Sequence, residues 1–450
     1  MRLQFGTSSY ERAEGDLPEL PVINMYAEEA PTEEGGIVLQ SRPGLADRGI
    51  NMGAGPVRGL YQADGVLDGL LYGVSGDKMY EGAAEVGDVD GAGPVSWGGY
   101  EDTLFMAAGG SLWGYDSAAL AAVAFPDGAS VAAITVGASR LIAIRADTQT
   151  FYWSSPLGTT IGALDFASAE SSPDRLRDVL FLDDTLILFG AETVEFWPNT
   201  GSADLPFQPL QGRVIEKGIK KTGACCALGA SFAWVTNENN VCIQSEQNVI
   251  SNPGLQSKIE VSTECLLFTV LIDGTEFLAL RLDGETQLYS TRSGKWSEFA
   301  SYGLDNWIVQ CAAGPVMGSA QDGSTLAWGT GHQDLGGVLE RRFRAGAPLN
   351  SGGVIVSNMQ VRTNVGQTPF LTGDYANPVL EMRLSRDVGQ TWGSWRSASL
   401  GEQGKYRTKV QWRACGMASN PGLFAEFRCA DPVPLRISDV LMNEPWGGRG

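Results

Sequence analysis

Short apolar runs rich in β-branched and aromatic residues recur along this chain, each closed by glycine, proline or an Asp-Gly pair. Leu141-Ile142-Ala143-Ile144 and Leu186-Ile187-Leu188-Phe189 are examples. Such runs with such stops predict strands joined by hairpin turns. Helical periodicity is almost absent: the Ala-rich stretch 118–124 is short and is followed by Pro126.

The runs fall into units at a spacing of roughly 35–50 residues, the range of propeller blades. Seven units are read. The first spans Gly59 to Tyr80, and the fourth runs from Val179 through Phe189 to Trp197. The seventh, around residues 308–328, is weaker, so six blades is the alternative count. Each unit reads as three strands, the inner two apolar on both faces and the third amphipathic. A radial ring of such sheets buries both faces of its inner strands and leaves no long exposed edge. The expectation is an all-β chain: a β-propeller of about seven blades plus an additional C-terminal antiparallel β domain.

The expected map places an N-terminal strap, mostly loop, at residues 1–55 and the propeller at 56–333. A linker follows at 334–353, marked by Arg341, Arg342 and Arg344. The C-terminal β domain occupies 354–450, with strands expected at 354–363, 379–385, 392–397, 406–412, 423–428 and 436–442. Alternation in Tyr406-Arg407-Thr408-Lys409-Val410-Gln411-Trp412 suggests a half-exposed sheet.

Composition narrows the function. The 450 residues carry 58 glycines, dispersed without a collagen period and suited to many tight turns. The net charge of −20 disfavours wrapping nucleic acid, which needs a Lys/Arg surface; it serves solubility and does not exclude contact with passing DNA, since a wall of like sign keeps a duplex from sticking. Seven cysteines without a CxxC pair read as reduced thiols of a protein made in a cytosol. The start lacks an apolar leader, and no apolar run reaches the ~18 residues of a membrane helix, so no membrane insertion is expected.

Candidate chemistry is sparse. Ser385-Arg386-Asp387-Val388-Gly389-Gln390-Thr391-Trp392 fits the Asp-box spacing of sialidases and other β-proteins. There the Asp carboxylate accepts backbone N–H groups across a turn, Gly supplies positive φ and Trp plugs the turn against the core. Ser385, Asp387, Gly389, Thr391 and Trp392 are therefore expected to stabilise a turn and not to catalyse. A sialidase would need arginines spread over several blades, a Tyr–Glu pair and an acid Asp. Arginines 341, 342 and 344 are crowded together instead. The lone histidine, His332, excludes a triad needing two histidines and reads as a loop residue. No catalytic, cofactor-binding or metal-binding residue is assigned, and no cofactor is expected. Asn24, Tyr26, Arg42, Arg341, Arg342 and Arg344 are the candidate interface residues.

Two end segments carry a family resemblance. Val22-Ile23-Asn24-Met25-Tyr26-Ala27-Glu28 with Arg42-Pro43-Gly44-Leu45 resembles the opening of podovirus packaged-DNA-stabilisation proteins, also called tail nozzle or tail hub proteins. The run Leu384-Ser385-Arg386-Asp387 … Thr391-Trp392 … Val410-Gln411-Trp412-Arg413 … Phe427-Arg428 resembles the closing domain of the same family. The middle fits through its blade pattern alone. The resemblance implies a structural, non-enzymatic part of a bacteriophage virion tail, synthesised in the host cytoplasm. It implies a homo-hexamer below the portal and tail adaptor. That ring's channel passes double-stranded DNA, helps to retain the packaged genome, and bears tail fibres or tailspikes. The alternative is a carbohydrate-binding or sialidase-like glycosidase propeller.

Overall fold

Asp273 and Gly274 adopt φ of 49° and 75° in the computed structural model, the left-handed pair that a tight two-residue hairpin requires. The turn joins Cys265–Ile272 to Thr275–Leu282, with Ile272 opposite Thr275. Asp183 and Asp184 (φ 46° and 57°) turn the chain in the same way between Leu182 and Thr185. The structure describes residues 1–9, 20–31, 36–169, 174–348 and 353–443. Parts of the expected strap (10–19 and 32–35), blade region (170–173), linker (349–352) and C-terminal domain (444–450) lie outside the described residues.

Among the described residues, these hairpins build seven four-stranded antiparallel units. Their innermost strands are Val57–Tyr61, Ser96–Tyr100, Val131–Gly137, Leu176–Leu182, Cys225–Leu228, Cys265–Ile272 and Val309–Ala313. Six units are separate sheets; the sixth in chain order continues into a larger sheet. The arrangement is a β-propeller. Each unit has one strand more than the three expected. The extra strand is the outermost, such as Ala84–Asp88 or Val214–Ile215. These strands are short or solvent-facing, so they carry little apolar signal.

The ring closes through the N-terminus. Leu45–Asn51 forms the outer strand of the seventh blade, with Leu45 opposite Trp328 and Asn51 opposite Ser324. The described residues of the N-terminal segment are thus largely strand. Arg2–Phe5, Val22–Ile23, Met25–Glu29 and Ile37–Ser41 are strands as well. Their partners lie far away in sequence, Arg2 opposite Leu441 and Ile23 opposite Glu298, so local patterning hides them.

The stretch expected as a linker also holds a strand, Arg341–Pro348, paired along its whole length with Gly422–Cys429. Val22–Ile23 lies between this strand and Lys295–Phe299 of the sixth blade. One hydrogen-bonded sheet therefore runs from propeller into C-terminal domain. That domain is a β-sandwich. Phe343, Ala345, Met382, Ala425 and Phe427 from one layer pack on Val356, Met359, Val361, Val410, Trp412 and Val440 from the other.

Four of the six expected strands of this domain match observed elements: Val354–Thr363, Val379–Ser385, Gly422–Cys429 and Arg436–Met442. The other two are displaced, to Arg396–Ser399 and Val410–Ala418. Residues 404–408 turn instead of extending, because Tyr406 N donates to Gly404 O (3.0 Å) and Thr408 N to Lys405 O (3.2 Å). One α-helix, Pro253–Val261, departs from the helix-free expectation. Asn252 caps it by accepting from Leu255 N at 2.9 Å, Pro253 opens it, and Leu255 and Ile259 are buried. No described helix is long and apolar enough to cross a membrane, which says nothing of β-barrels.

Candidate assembly surfaces and the axial cavity

Burial divides the candidate interface residues. Arg42 is fully buried and is held by Asp334 through two contacts, at 2.9 and 2.6 Å. Its Nε donates to Asn24 Oδ1 (2.9 Å), other donors reach the carbonyls of Pro43 and Ala300, and its plane lies over Phe299. Asn24, at φ 55°, also donates to Glu340 O and accepts from Ala300 N. Tyr26 bonds Asp273 and meets Phe277 edge-on, and burial raises its phenol pKa above the ordinary value. Arg341 is fully buried among the carbonyls of Cys429, Asp431 and Val433. These four residues join the chain's own ends to its propeller and do not reach its free surface. His332 sits in the same joint, half-buried, with its pKa pushed down to about 4 by burial and then by the nearby Arg341 charge.

Arg342 and Arg344 point the other way, since alternate residues of a strand face opposite sides. Arg342 pairs with Glu340. Arg344 begins a ladder across the outer face of the sandwich. Its Nε bonds Glu426 at 2.9 Å, and Glu426, fully buried, also takes Arg383 at 2.5 Å. Arg344 and Arg383 flank Trp392 at 4.9 and 5.0 Å from the ring centroid. Arg383 and Arg428 flank Trp395 at 4.6 and 4.1 Å, and Arg428 pairs with Glu381 at 2.6 Å. Stacking on an aromatic face holds a guanidinium without hiding it from water.

The Asp-box turn places Trp392 in this ladder. Asp387 Oδ1 accepts from Ser385 Oγ (2.7 Å) and Thr391 N (2.8 Å), Oδ2 accepts from Thr391 Oγ1, and Gly389 N donates to Ser385 Oγ (2.8 Å). Gly389 has φ 90°. These bonds draw the Asp387 pKa down to about 2, the Thr391 hydroxyl contributing most. Both oxygens are engaged within the turn, which is a structural use. Trp392 departs from the expectation: it is half-exposed and lies against two arginines, not in the core. Trp395, Arg383, Glu426 and Asp334 were not singled out from the sequence. The alternation of polar Glu381 and Arg383 with apolar Leu380, Met382 and Leu384 was the available signal for Arg383.

The axis of the propeller holds a cavity of about 380 Å³. Every blade contributes to its wall: Leu60, Trp97, Thr135, Val179, Cys226, Leu267 and Cys311 are successive examples. Spread over the ~17 Å of a five-residue strand and allowing for the ~1.4 Å radius of a water molecule at each wall, the bore is only ~8 Å across, narrower than the ~12 Å major groove of duplex DNA alone. Asp178, on this wall, accepts from Gly223 N (2.7 Å) and Val179 N (2.9 Å), and burial raises its pKa against those bonds. All seven cysteines are free, and burial pushes the thiols of Cys242 up to about 11 and of Cys265 and Cys311 up to about 12. Among the described residues no group of three or more His, Cys, Asp or Glu side chains is placed to hold a metal ion.

A seven-unit propeller fused to a β-sandwich defines an all-β class of protein built from two regions. Comparison with known proteins narrows that class. Residues 1–296 match the family model described as Bacteriophage P22 Gp10, beta-propeller, and residues 343–443 match Bacteriophage P22 Gp10, beta-sandwich. The chain belongs to this phage P22 Gp10 family. A curated relative, the tail hub protein gp10 of Salmonella phage P22, is 26% identical over 241 residues, 48% of this chain and 48% of its own length. The match thus spans about half of that relative. Among solved structures, a computationally designed protein, Ika8, is similar at TM-score 0.40 and 11% identity, covering 64% of this chain and 99% of its own. BBS1N in complex with ARL6DN is similar at TM-score 0.43 and 12% identity, covering 65% and 99%.

Proposed function

We propose that this chain is a structural, non-enzymatic subunit of the tail hub of a short-tailed bacteriophage. The observation that carries the reading is the succession, in one chain, of both regions of the P22 Gp10 family, beta-propeller and beta-sandwich. The named relative is a tail hub protein. In this reading six copies form a ring below the portal and tail adaptor, retain packaged DNA, and bear tail fibres or tailspikes.

The narrow axial cavity sharpens one part of the proposal. Duplex DNA cannot thread a single propeller, so the conduit lies between copies, on the axis of the ring. Six copies would carry 6 × −20 = −120, and carboxylates facing the lumen would repel phosphates and let the duplex slide. The hydrogen-bonded sheet that fuses propeller to sandwich suits a part that must keep its shape while DNA moves past it. Of the candidate interface residues, Arg342 and Arg344 remain toward the surface and belong to the proposed contacts. Localisation to the virion tail, after synthesis in the host cytoplasm, completes the reading.

Electron microscopy of virions carrying a labelled chain tests this. The expected result is sixfold density below the portal that contains the label. A particle lacking the chain in its tail, or a purified chain that cleaves sialosides, would sink the proposal.

A further inference from the structure

The sandwich carries a concave basic site that no partner among the described residues fills. It opens between Val354–Thr363, Arg436–Met442 and the turn before Val410–Ala418, with a volume of about 460 Å³. Arg362, Arg407 and Arg436 line it, together with Tyr406, which is 63% exposed. Arg362 is anchored by Asp439 at 3.2 Å. The side chains of Arg407 and Arg436 make no ion pair among the described residues. Three guanidiniums and a phenol ring around one hollow fit carboxylates on a protruding turn.

The chain carries such a turn elsewhere. Blades one and two bring the 62–69 turn and the 101–102 turn together, through the Val66–Glu101 bridge and the Leu67 N to Glu101 O bond of 2.8 Å. Asp64, Asp68, Glu101 and Asp102 are all exposed there, and none pairs with a Lys or Arg among the described residues. Leu70, beside them, is 46% exposed and offers an apolar neighbour for Tyr406.

We infer that the basic hollow of the sandwich receives this acidic rim of blades one and two from a second copy of the chain. The charge balance favours that occupant. Residues 45–328 hold 15 basic and 34 acidic residues, a net −19, while residues 353–443 hold 10 and 7, a net +3. Unlike faces on one chain attract between copies and set their orientation. Two different patches make a head-to-tail contact, which closes into a ring when the rotation allows. Duplex DNA fits less well: it needs an extended basic stripe, whereas Asp439 already pairs with Arg362 and Glu402 with Lys405 next to Tyr406. The inference rests on the ring reading above and names its subunit contact.

Charge reversal on each side tests it in phage particles. Arg407→Glu with Arg436→Glu, and separately Glu101→Lys with Asp102→Lys, should each cut the number of tail rings at least ~10-fold. All four changes together should restore them. All four positions are exposed, so thermal melts of the purified variants should match the parent. As a second readout on the unaltered chain, zero-length carbodiimide coupling of mixed light- and heavy-isotope particles should join Lys405 or Lys409 of one copy to Asp68, Glu101 or Asp102 of another. The inference is overturned if the arginine reversal leaves rings intact, if the combined variant is not rescued, or if couplings map elsewhere. Intact rings that lose only DNA retention would assign the hollow to phosphate. Parent particles without any ring would instead refute the hub reading.

Discussion

Between residues 45 and 328 the propeller holds 34 acidic side chains against 15 basic ones, whereas residues 353–443 hold 7 against 10. The two regions share antiparallel strands and tight turns but use charge differently. In the propeller many carboxylates sit at hairpin tips, where Asp tolerates positive φ and water solvates the charge, as at Asp183, Asp184 and Asp273. In the sandwich arginines lie along strand faces and are fixed by tryptophan and glutamate, as in the Arg344–Trp392–Arg383–Trp395–Arg428 ladder. A solvated tip leaves its charge free for long-range attraction or repulsion, while a stacked guanidinium is held ready for a contact. The difference teaches that the chain is polarised by construction, with an acidic propeller and a mildly basic sandwich.

The largest effect is expected where the two regions meet. Asp334→Leu strips the fully buried Arg42 of its counter-ion and should cost ~3–5 kcal/mol. Chemical denaturation should show both regions weakened, since Asp334 and Arg42 bind the N-terminal strands to the propeller. If only the sandwich loses stability, the joint does not couple the regions as described. A smaller loss, ~1.5–3 kcal/mol, is expected from Glu426→Gln, which breaks the charged centre of the ladder while the half-exposed arginines rehydrate. Indole fluorescence should report Trp392 and Trp395 becoming more mobile. An unchanged midpoint would mean that stacking alone holds the ladder.

Acid should probe the joint more gently. His332 has a folded pKa of about 4, below the ordinary 6.5. Between those values the unfolded chain binds a proton that the folded chain refuses, so stability falls as pH drops from 6.5 toward 4, by ~1–2 kcal/mol after allowing for partial exposure. Above 6.5 the group contributes no slope. His332→Gln should remove this part of the pH dependence, seen as a smaller difference between melts at pH 7 and pH 4.5. The smallest effect is expected at the Asp-box. Asp387→Ala should leave global stability nearly unaltered and speed amide exchange at Thr391, with Trp392 loosened from its arginines. A global collapse there would show the turn to be part of the core.

The blade hairpins were legible because each is local: an apolar strand, a turn residue that accepts positive φ, and a second apolar strand within a few positions. The Asp-box was legible for the same reason, since all its hydrogen bonds fall between Ser385 and Thr391. The outer strands, the N-terminal strands and Arg341–Pro348 were not, because they are defined by partners up to hundreds of residues away. Asn24, Tyr26, Arg42 and Arg341 were noticed as unusual and placed on the surface, yet a buried arginine and an exposed one look alike in a string of letters. What separates them is whether Asp334 or the Val433 carbonyl arrives alongside.

By itself, then, the order of residues determined strand periodicity, turn chemistry, the repeat of hairpin units and the acidic balance, while it left the count of blades between six and seven. Only the tertiary structure decided that Leu45–Asn51 closes the seventh blade and that Val22–Ile23 stitches the sixth blade to the sandwich. It alone decided which arginines face a carboxylate and which face water, because burial and pairing are set by residues that meet only after folding.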